Sequence, residues 1–364
     1  MIHRSRDQVV TALVVLAAFV SLTFQSEQVA ASAAPLRSAR TTSAPALSVE
    51  GNEIVDASGD PVQLNGVNRS GAEYMCTTGS GIFDGPTSVA AMATWHVHVV
   101  RIPLNEDCWL GINGVNPLHS GPSYRRAIRR FVSRLEANGM NVILDLHWNA
   151  PGGQLAKSQR EMPDADHSVD FWRSVSQTLG EDPAVLFDLY NEPHDVSWSC
   201  WRDGCIVGSG SQAWEAAGMQ ELIDTVRATG ATNILMLGGL GWAGNLTQWH
   251  RWMPTDPLHQ LVASWHVYSF GDCVTTACWD ANVSGVAGAA PILIGEFGEQ
   301  GCRHEFVDRL MPWADTKHRV GIGYLAWTWN DWPTCDGPTL IENPQGDPTA
   351  YGAGVRRHFR IHFS

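Results

Sequence analysis

Two glutamates of this sequence stand where largely apolar runs end, a position from which a carboxylate can act on a bound molecule. Glu192 follows the run 185–190 and precedes Pro193, and Glu296 follows the run 291–295. Proline fixes its own backbone and biases Glu192 toward an extended conformation, so this carboxylate is presented at the carboxyl end of a strand. Two facing carboxyl groups can hydrolyse a glycosidic bond: one protonates the leaving oxygen, and the other attacks the anomeric carbon or activates water.

Other polar and aromatic side chains follow the ends of further apolar runs. Burying one polar group without a partner costs roughly 2–7 kcal/mol, so an isolated case is usually a structural residue with satisfied hydrogen bonds. Several runs that end in this way predict instead a common site for substrate binding and for support of the two glutamates. These residues are Arg101, His147, Trp148, Asn191, His266, Tyr268, Trp327 and Trp329.

The neighbours of the two glutamates predict different protonation states for them. We expect Arg101, His266 and Tyr268 to keep Glu296 ionised through charge and hydrogen bonds. The negative charge of Glu296 would then hold the proton on Glu192, because like charges disfavour a second ionisation. Glu192 would be the proton donor of the pair.

Eight apolar stretches, separated by helical segments, must position these side chains. The stretches do not alternate between apolar and polar residues, which indicates parallel strands buried on both faces. Eight such units in about 300 residues predict an α/β fold, the (β/α)8 TIM barrel, in which the carboxyl ends of all strands meet at one face. An open doubly wound sheet is the alternative, but no glycine-rich phosphate turn follows the first strand. The predicted strands are Val62–Asn68, Val97–Ile102, Asn141–His147, Val185–Tyr190, Asn233–Gly238, Leu261–Val267, Pro291–Gly295 and Gly323–Thr328.

Helical periodicity supports this alternation of strands and helices. Apolar residues recur along one helix face in Tyr124–Asn138, and Ser168–Leu179 and Ser211–Thr229 behave similarly. Ahead of the barrel, Leu47–Asp60 has the pattern of a short β-hairpin. We therefore expect one catalytic barrel domain over residues 47–364.

The first residues have the features of an export signal. Two arginines supply positive charge, an apolar run over residues 9–20 follows, and Ala31-Ser32-Ala33 is a small-residue cleavage site. A membrane anchor is the alternative, but the run is short for a span. We expect residues 1–33 to be a signal peptide and residues 34–46 a disordered leader. The mature protein would be secreted, extracellular and free of the membrane.

Eight cysteines in an exported protein predict disulfides. Each follows a predicted strand, so the bridges would tie loops at the face where a barrel builds its site. A zinc site is the alternative, because the short gaps between some cysteines could bind metal, but an oxidising compartment disfavours it. The expected pairs are Cys200–Cys205, Cys273–Cys278, Cys76–Cys108 and Cys302–Cys335.

The composition is that of a globular protein with a large core, and it argues against one class of partner. Hydrophobic residues make up 44% of the chain and charged residues 17%. A net charge of -13 argues against nucleic acid, because phosphate binding needs a basic surface. The histidines outside the candidate site have no recognisable ligand spacing. We expect no metal, no cofactor, and a monomer.

Five short motifs follow one another along the chain: Val100-Arg101-Ile102-Pro103-Leu104, Leu144-Asp145-Leu146-His147-Trp148-Asn149, Tyr190-Asn191-Glu192-Pro193-His194, Trp265-His266-Val267-Tyr268 and Ile294-Gly295-Glu296-Phe297-Gly298. Together they resemble glycoside hydrolase family five, the cellulase and mannanase family of clan A barrel glycosidases. The family-one β-glucosidases share Asn-Glu-Pro, but they have Glu-Asn-Gly where this chain has Gly-Glu-Phe-Gly.

The resemblance covers residues 47–352, and it implies roles for the residues already named. Glu192 would be the acid/base and Glu296 the nucleophile of a retaining mechanism. Trp329 would form the aromatic floor under the cleaved sugar. The remaining site residues of the family would fall on Arg101, His147, Asn191, His266 and Tyr268.

The same resemblance implies an O-glycosyl hydrolase that acts on a β-linked polysaccharide or oligosaccharide, and we expect an endo-β-1,4-glucanase. A β-mannanase, a xyloglucan hydrolase and an exo-acting or aryl β-glycosidase are alternatives within the family. The Trp- and Cys-rich loop 198–205 departs from the plainest endoglucanases and could narrow one end of the cleft, so endo and exo action both stay open. A non-catalytic carbohydrate-binding barrel is the other class, but this chain retains both glutamates.

Overall fold

A closed barrel of eight parallel strands forms the centre of the computed structural model, which describes residues 43–79, 83–286, 288–333 and 337–363. The last strand pairs with the first and closes the ring. Every barrel strand overlaps one of the predicted stretches, which confirms the (β/α)8 architecture. In order around the ring, the strands are β3 (Asn65–Asn68), β4 (Val99–Asn105), β5 (Asn141–Trp148), β6 (Val185–Asp188), β9 (Leu235–Gly238), β10 (Leu261–Tyr268), β11 (Ile292–Gly298) and β12 (Gly323–Ala326).

Helices connect these strands and pack around the barrel. Two of the predicted helices are present, one with the expected bounds and one shifted by two or three residues. None of the helices within the described ranges is long and apolar enough to cross a membrane. The helices are α1 (Met75–Thr78), α2 (Pro86–Thr94), α3 (Glu106–Leu110), α4 (Gly121–Glu136), α5 (Ser168–Leu179), α6 (Trp198–Asp203), α7 (Met219–Ala228), α8 (Trp249–Trp252), α9 (Thr276–Val286), α10 (Val307–Asp315) and α11 (Ala350–His362), with a 3-10 turn at Gly210–Gln212.

The third predicted helix is shorter than its pattern indicated. We expected a helix over 211–229, whereas α7 begins only at Met219. Strand β8 (Trp214–Ala216) precedes it and pairs antiparallel with β7 (Cys205–Val207). This pairing, together with a 2.9 Å hydrogen bond from Ala165 N–H to the carbonyl of Glu215, uses backbone groups that a helix would need.

The predicted N-terminal hairpin is present and covers the amino end of the barrel. Strands β1 (Leu47–Glu50) and β2 (Glu53–Asp56) pair antiparallel. Their apolar side chains belong to the same buried cluster as barrel residues such as Val99. The Gln260 side chain accepts a 2.8 Å hydrogen bond from the N–H of Val49 and fastens the hairpin to the barrel.

Two residues that we assigned to the disordered leader are already tied to the barrel domain. The N–H of Ala44 donates to the carbonyl of Glu136 at 3.1 Å. Nδ2 of Asn141 donates to the carbonyl of Pro45 at 2.8 Å. The leader prediction is therefore wrong at its carboxyl end, and residues 1–42, with the predicted signal peptide, lie outside the described residues.

Three of the expected disulfides are present, namely Cys76–Cys108, Cys200–Cys205 and Cys273–Cys278. These six cysteines therefore form disulfides, and the alternative of a zinc site does not apply to them. The fourth expected bridge involves Cys335, which lies outside the described residues.

Candidate active site

Side chains inside the barrel change from apolar to polar along the strands. Residues two apart in a strand point to the same face. The first inward positions are apolar and pack together, and they include Val99, Ile143, Leu186 and Val262. Two residues further along, the same strands carry a fully buried polar layer that consists of Arg101, Asp145, Asp188 and Ser264. The fold thus places charged groups above an apolar floor, where the strands end.

Arg101 is the centre of this polar layer. Its buried guanidinium lies 3.1 Å from Asp145 and 2.9 Å from Asp188. Nη1 donates to Oε1 of Glu296 at 2.7 Å, and Nη2 donates to Oδ1 of Asn191 at 2.9 Å. Burial disfavours the charged guanidinium, but the three carboxylates outweigh it and raise the pKa of Arg101. Arg101 therefore stays charged and fixes the positions of Glu296 and Asn191.

A break in the pairing of β10 with β11 brings His266 opposite Glu296. The register shifts just before His266, so Gly295 is the extra residue of a bulge. A Cβ at position 295 would lie 2.6 Å from Oγ of Ser264 and 3.0 Å from Nε2 of His266. Glycine at this position therefore leaves room for the imidazole, which then faces the carboxylates.

Glu296 accepts hydrogen bonds from two sides. Besides Arg101, the hydroxyl of Tyr268 donates to Oε2 of Glu296 at 2.5 Å. Nδ1 of His266 lies 3.6 Å from the same oxygen. Burial, and then the charge of Glu296, raises the pKa of Tyr268 well above its ordinary value, so the phenol keeps its proton and remains a donor. The structure thus brings together the three residues that we expected around Glu296.

Glu192 reaches the same place from the end of β6. Its Oε1 lies 3.0 Å from Nδ1 of His266, and its Oε2 accepts a hydrogen bond from Nε2 of Gln159 at 2.9 Å. An oxygen of Glu192 and an oxygen of Glu296 lie within 4.8 Å of each other. Retaining glycosidases hold their two carboxyl groups about 5–5.5 Å apart, so this arrangement suits direct attack by one of them.

The surroundings of Glu192 differ from our expectation that Glu296 would hold a proton on it. Burial opposes ionisation, but the hydrogen bond and charge of His266 outweigh it. The hydrogen bond from Gln159 and the charge of His147 act in the same direction and lower the pKa of Glu192. Glu192 is therefore ionised at neutral pH in this arrangement, and it must gain its proton when its surroundings change.

Of the two tryptophans that follow β12, Trp327 lines the cavity, and the prediction of a sugar-binding floor at Trp329 is wrong. Trp329 is fully buried, its Nε1 donates to Oγ of Ser88 at 2.9 Å, and its ring packs edge-to-face on Trp95. Trp327 instead lines the cavity and stacks on His147, with ring centroids 5.7 Å apart and an interplanar angle of 10°. Strand β12 ends before both tryptophans, so strand alternation does not place them on the same face.

His147 is held in place by the polar layer. Its Nδ1 lies 2.7 Å from Oδ2 of Asp145. Burial disfavours a charged imidazole, but the charge and hydrogen bond of Asp145 outweigh it and raise the pKa of His147. This environment suits the expected role of His147 in the network and in contacts with a sugar.

An open cavity of about 850 Å³ lies over these residues. Its outer wall carries two exposed aromatic rings: Trp242, which stacks on His194, and Phe270, which stacks on Tyr268. The disulfide that involves Cys273 also lines the wall, so this bridge fixes a loop at the mouth, as expected. The residues at the base are His147, Asn191, Glu192, His266, Glu296 and Trp327.

Trp148 contacts another aromatic residue, Tyr74. It ends β5, and its ring centroid lies 6.3 Å from that of Tyr74. Its contact with a substrate stays a prediction.

Two residues of the site were missed in the sequence. Asp188 was detectable, because it is an isolated charge within the apolar run that leads to Glu192. Gln159 gave no signal, because the segment Lys157-Ser158-Gln159-Arg160 has the composition of a solvated loop.

Three side chains at the base have atoms that could ligate a metal. Atoms of Glu192, His266 and Glu296 lie within 4.8 Å of one another. Arg101 and Tyr268 already donate to the two oxygens of Glu296. These donors suit the cluster to acid–base chemistry.

A closed (β/α)8 barrel with two close glutamates at the carboxyl ends of its strands defines the class of barrel glycosidases. The family model described as Cellulase (glycosyl hydrolase family 5) matches residues 55–332. This chain therefore belongs to glycosyl hydrolase family 5, and it is an O-glycosyl hydrolase of the cellulase-like kind.

Curated relatives include enzymes on two kinds of β-glycan. A mannan endo-1,4-β-mannosidase of Salipaludibacillus agaradhaerens is 25% identical over 292 residues, which cover 77% of this chain and 80% of that protein. Endoglucanase MaCel5A of Microbulbifer sp. (strain ALW1) is 25% identical over 202 residues, 54% of this chain. This chain matches only 33% of the length of MaCel5A.

Solved structures share the fold at lower sequence identity. The endo-β-1,4-glucanase Xac0029 from Xanthomonas axonopodis pv. citri superposes with a TM-score of 0.65 at 21% identity and covers 83% of this chain and 100% of its own. XacCel5A, solved in complex with cellopentaose, gives a TM-score of 0.64 at 20% identity over 81% of this chain and 99% of its own. At these identities the likeness shows the fold alone.

Proposed function

We propose that this protein is a secreted, retaining endo-β-1,4-glucanase. The observation that carries the proposal is the pair of glutamates, Glu192 and Glu296, whose oxygens approach within 4.8 Å at the base of an open cavity. Inverting enzymes separate their carboxyl groups by about 6.5–9.5 Å to admit a water molecule. The close approach of these two oxygens supports attack by a carboxylate on the sugar.

In the first step, Glu296 is the nucleophile. One of its carboxylate oxygens forms a bond to the anomeric carbon while the bond from that carbon to the glycosidic oxygen breaks. Glu192 transfers its proton to the departing oxygen, so the leaving sugar departs as a neutral alcohol. Arg101 and Tyr268, which donate to opposite oxygens of Glu296, orient its carboxylate for the attack.

In the second step, a water molecule replaces the leaving sugar. Glu192, now ionised, takes a proton from the water while the oxygen of the water bonds to the anomeric carbon. The bond from the anomeric carbon to Glu296 breaks, and Glu296 leaves as a carboxylate that Arg101 and Tyr268 stabilise. Two inversions at one carbon give net retention.

Glu192 gains its first proton as the substrate covers the cavity. A bound sugar excludes water, which raises the pKa of a carboxyl group, and the nearby charge of Glu296 acts in the same direction. Nδ1 of His266 lies 3.0 Å from Oε1 of Glu192 and 3.6 Å from Oε2 of Glu296, so it links the two carboxyl groups and leaves Oε2 of Glu192 for the proton.

The endoglucanases among the relatives support β-1,4-glucan as the substrate. A β-mannanase is the second candidate, because the mannosidase relative aligns with 77% of the chain and MaCel5A with 54%. Xyloglucan and short aryl glycosides are the remaining alternatives. Asn191 and His147 reach the cavity and would contact sugar hydroxyls, of which the 2-hydroxyl differs in orientation between glucose and mannose.

The disulfides support secretion, because such bonds persist in oxidising compartments. In this proposal residues 1–33 are a signal peptide, residues 34–42 are a leader, and the catalytic domain extends from residue 43 to the carboxyl end as a monomer.

Hydrolysis of a substrate panel tests the proposal. Carboxymethyl-cellulose, mannan, xyloglucan and aryl glycosides would be incubated with the protein, and reducing ends and viscosity would be followed. We expect the fastest cleavage and an early fall in viscosity on carboxymethyl-cellulose, with the β-anomer formed first by NMR. Glu296→Gln should abolish turnover, while Glu215→Gln, which changes an exposed carboxylate, should leave it intact.

Three outcomes would contradict parts of this proposal. Faster cleavage of mannan would make the protein a β-mannanase. Release of only terminal sugars without a fall in viscosity would make it exo-acting. Binding of these glycans without cleavage of any of them would favour a carbohydrate-binding barrel.

A further inference from the structure

Gln159 lies in the segment between β5 and α5. Its side chain contacts Asn191 and Glu192, the two polar residues that precede Pro193. Nε2 of Gln159 donates to Oε2 of Glu192 at 2.9 Å. Nδ2 of Asn191 donates to Oε1 of Gln159 at 2.5 Å. One amide side chain from a loop therefore joins the two polar residues of the Asn-Glu-Pro motif.

Arg101, inside the barrel, determines which atoms donate and which accept in these hydrogen bonds. Arg101 can only donate, so the group of Asn191 that faces its Nη2 at 2.9 Å must be the oxygen. The amide nitrogen of Asn191 then points at Gln159, which must present its own oxygen there. Consequently the nitrogen of Gln159 faces Glu192, and Gln159 can act only as a donor to it.

The backbone beside Gln159 is also anchored at the site. The N–H of Arg160 donates to the hydroxyl of Tyr190 at 3.0 Å and to Oδ1 of Asn149 at 3.1 Å. Tyr190 is fully buried and directly precedes Asn191. The side chain of Gln159 and the backbone of the next residue are therefore both anchored to the stretch that carries Glu192, whereas Lys157 and Ser158 are exposed.

We propose that Gln159 is a positioning residue that holds Oε2 of Glu192 for proton transfer. Oε1 of Glu192 faces Nδ1 of His266 at 3.0 Å, so Oε2 is the oxygen left to reach the glycosidic bond. A carboxyl group that must serve first as acid and then as base needs a defined orientation in both forms. This inference rests on the proposed function and adds a residue that supports its acid/base.

Several charged or titratable groups face Glu192, and the effect of Gln159 must be separated from theirs. His266 approaches from β10, Glu296 from β11 and His147 from β5. Gln159 carries no charge, so its contribution is the hydrogen bond alone. Because a donor favours the ionised carboxylate, its removal raises the pKa of Glu192.

The test measures the titration of Glu192 directly. The protein would be labelled with 13C at the glutamate side-chain carboxyl, and the Glu192 signal would be identified by its loss in Glu192→Gln. We expect Gln159→Ala to move the titration midpoint of Glu192 to higher pH. Gln159→Glu, which has the same length but adds a carboxylate, should move it further. Gln154→Ala, an exposed glutamine of the same loop, should leave the midpoint unchanged.

Kinetics provide the second readout. Gln159→Ala should lower kcat about tenfold, which is only part of the roughly 10²–10⁴-fold contribution of a general acid–base group because Glu192 itself remains. The variant should also move the basic limb of the pH–rate profile to higher pH. An unchanged Glu192 midpoint in a folded Gln159→Ala protein would overturn the role of Gln159. If the midpoint moves but the unmodified protein hydrolyses no glycoside, the proposed function fails and the contact of Gln159 with Glu192 stands.

Discussion

The ring of Trp327 lies parallel to the ring of His147, with an interplanar angle of 10° and 5.7 Å between centroids. His147 is in turn held by Asp145, so the tryptophan rests on a fixed surface. Trp327 therefore presents its ring to the cavity with little freedom to move. Stacking on an aromatic face is a common way to bind a sugar ring, and Trp327 is positioned for it.

We expect Trp327→Ala to reduce activity and Trp329→Ala to reduce stability. Trp327→Ala should lower kcat/KM about tenfold, because a lost aromatic contact costs about 0.5–1.5 kcal/mol, and should barely change stability. Trp329→Ala removes a buried side chain and its hydrogen bond to Ser88, so it should reduce the free energy of unfolding by about 3–5 kcal/mol. Urea denaturation and steady-state kinetics of both variants measure this. If Trp327→Ala lost more stability than Trp329→Ala, Trp327 would not be the cavity residue and Trp329 would not be the core residue.

Arg101 should be essential to the fold as well as to the site. Arg101→Met would leave the buried carboxylates of Asp145, Asp188 and Glu296 without their cation, which should cost about 3–5 kcal/mol of stability at pH 7. Burial already raises the pKa of Asp188 to about 7. The loss should therefore be smaller at pH 5, where protonation relieves the unpaired charge.

A half-buried arginine with a surface partner provides the control for this variant. Arg202 pairs with Asp203 at the surface, so Arg202→Met should change the free energy of unfolding by less than about 1 kcal/mol. Equal losses in the two variants would show that Arg101 contributes no more than a surface ion pair.

A second pair of carboxyl groups, Glu136 and Asp182, predicts a pH dependence of stability. Burial, and then the hydrogen bond and charge of Asp182, raises the pKa of Glu136 to about 8. The folded protein therefore binds more protons than the unfolded chain between pH values of about 4.5 and 8, so this pair makes stability fall as pH rises through that window.

Glu136→Gln should remove this contribution. The variant should be more stable than the unmodified protein at pH 8.5, and the difference should shrink toward pH 5, as measured by thermal unfolding across the range. Glu221→Gln, which changes an exposed glutamate of α7, should show no such trend. A constant difference at all pH values would mean that proton binding to Glu136 is not the cause.

The disulfides should contribute unequally to stability. Cys76–Cys108 spans a sequence separation of 32 and Cys200–Cys205 one of 5. Closing the longer loop restricts the unfolded chain more, which corresponds to about 4 kcal/mol against about 2 kcal/mol in the chain-entropy model. Double alanine variants of each pair, compared by urea denaturation, should follow this order. The reverse order would indicate that native contacts outweigh loop entropy here.

Much of the fold and of the site was predictable because local patterns carry it. The strands before Arg101, His147 and Glu192 are long apolar runs, and a barrel forces their ends to one face. The topology alone could place Arg101 and Tyr268 at the same face as Glu296, whereas the pairing of His266 with Glu296 depends on a bulge. Asp188 was predictable by the same reasoning, because a charge within a buried strand needs a partner.

The remaining features depend on contacts that the sequence does not encode locally. Trp327 and Trp329 are the same residue type two positions apart, and only their packing on His147 and on Trp95 distinguishes them. Gln159 lies in a polar loop, and its role follows from the orientation of Asn191. The bulge at Gly295 shifts the register by one residue, which no periodicity argument can locate.

The hairpin formed by β1 and β2 and the cavity lie at opposite ends of the barrel, so each end can be engineered separately. The hairpin covers the apolar residues at the amino end of the barrel. Removal of residues 1–60 would therefore expose side chains such as Val99 to water, and we expect it to promote aggregation. Trp242, Phe270 and Cys273 line the cavity at the opposite end of the barrel. We therefore expect exchange of the loops at the mouth to leave the packing of the hairpin on the barrel unchanged.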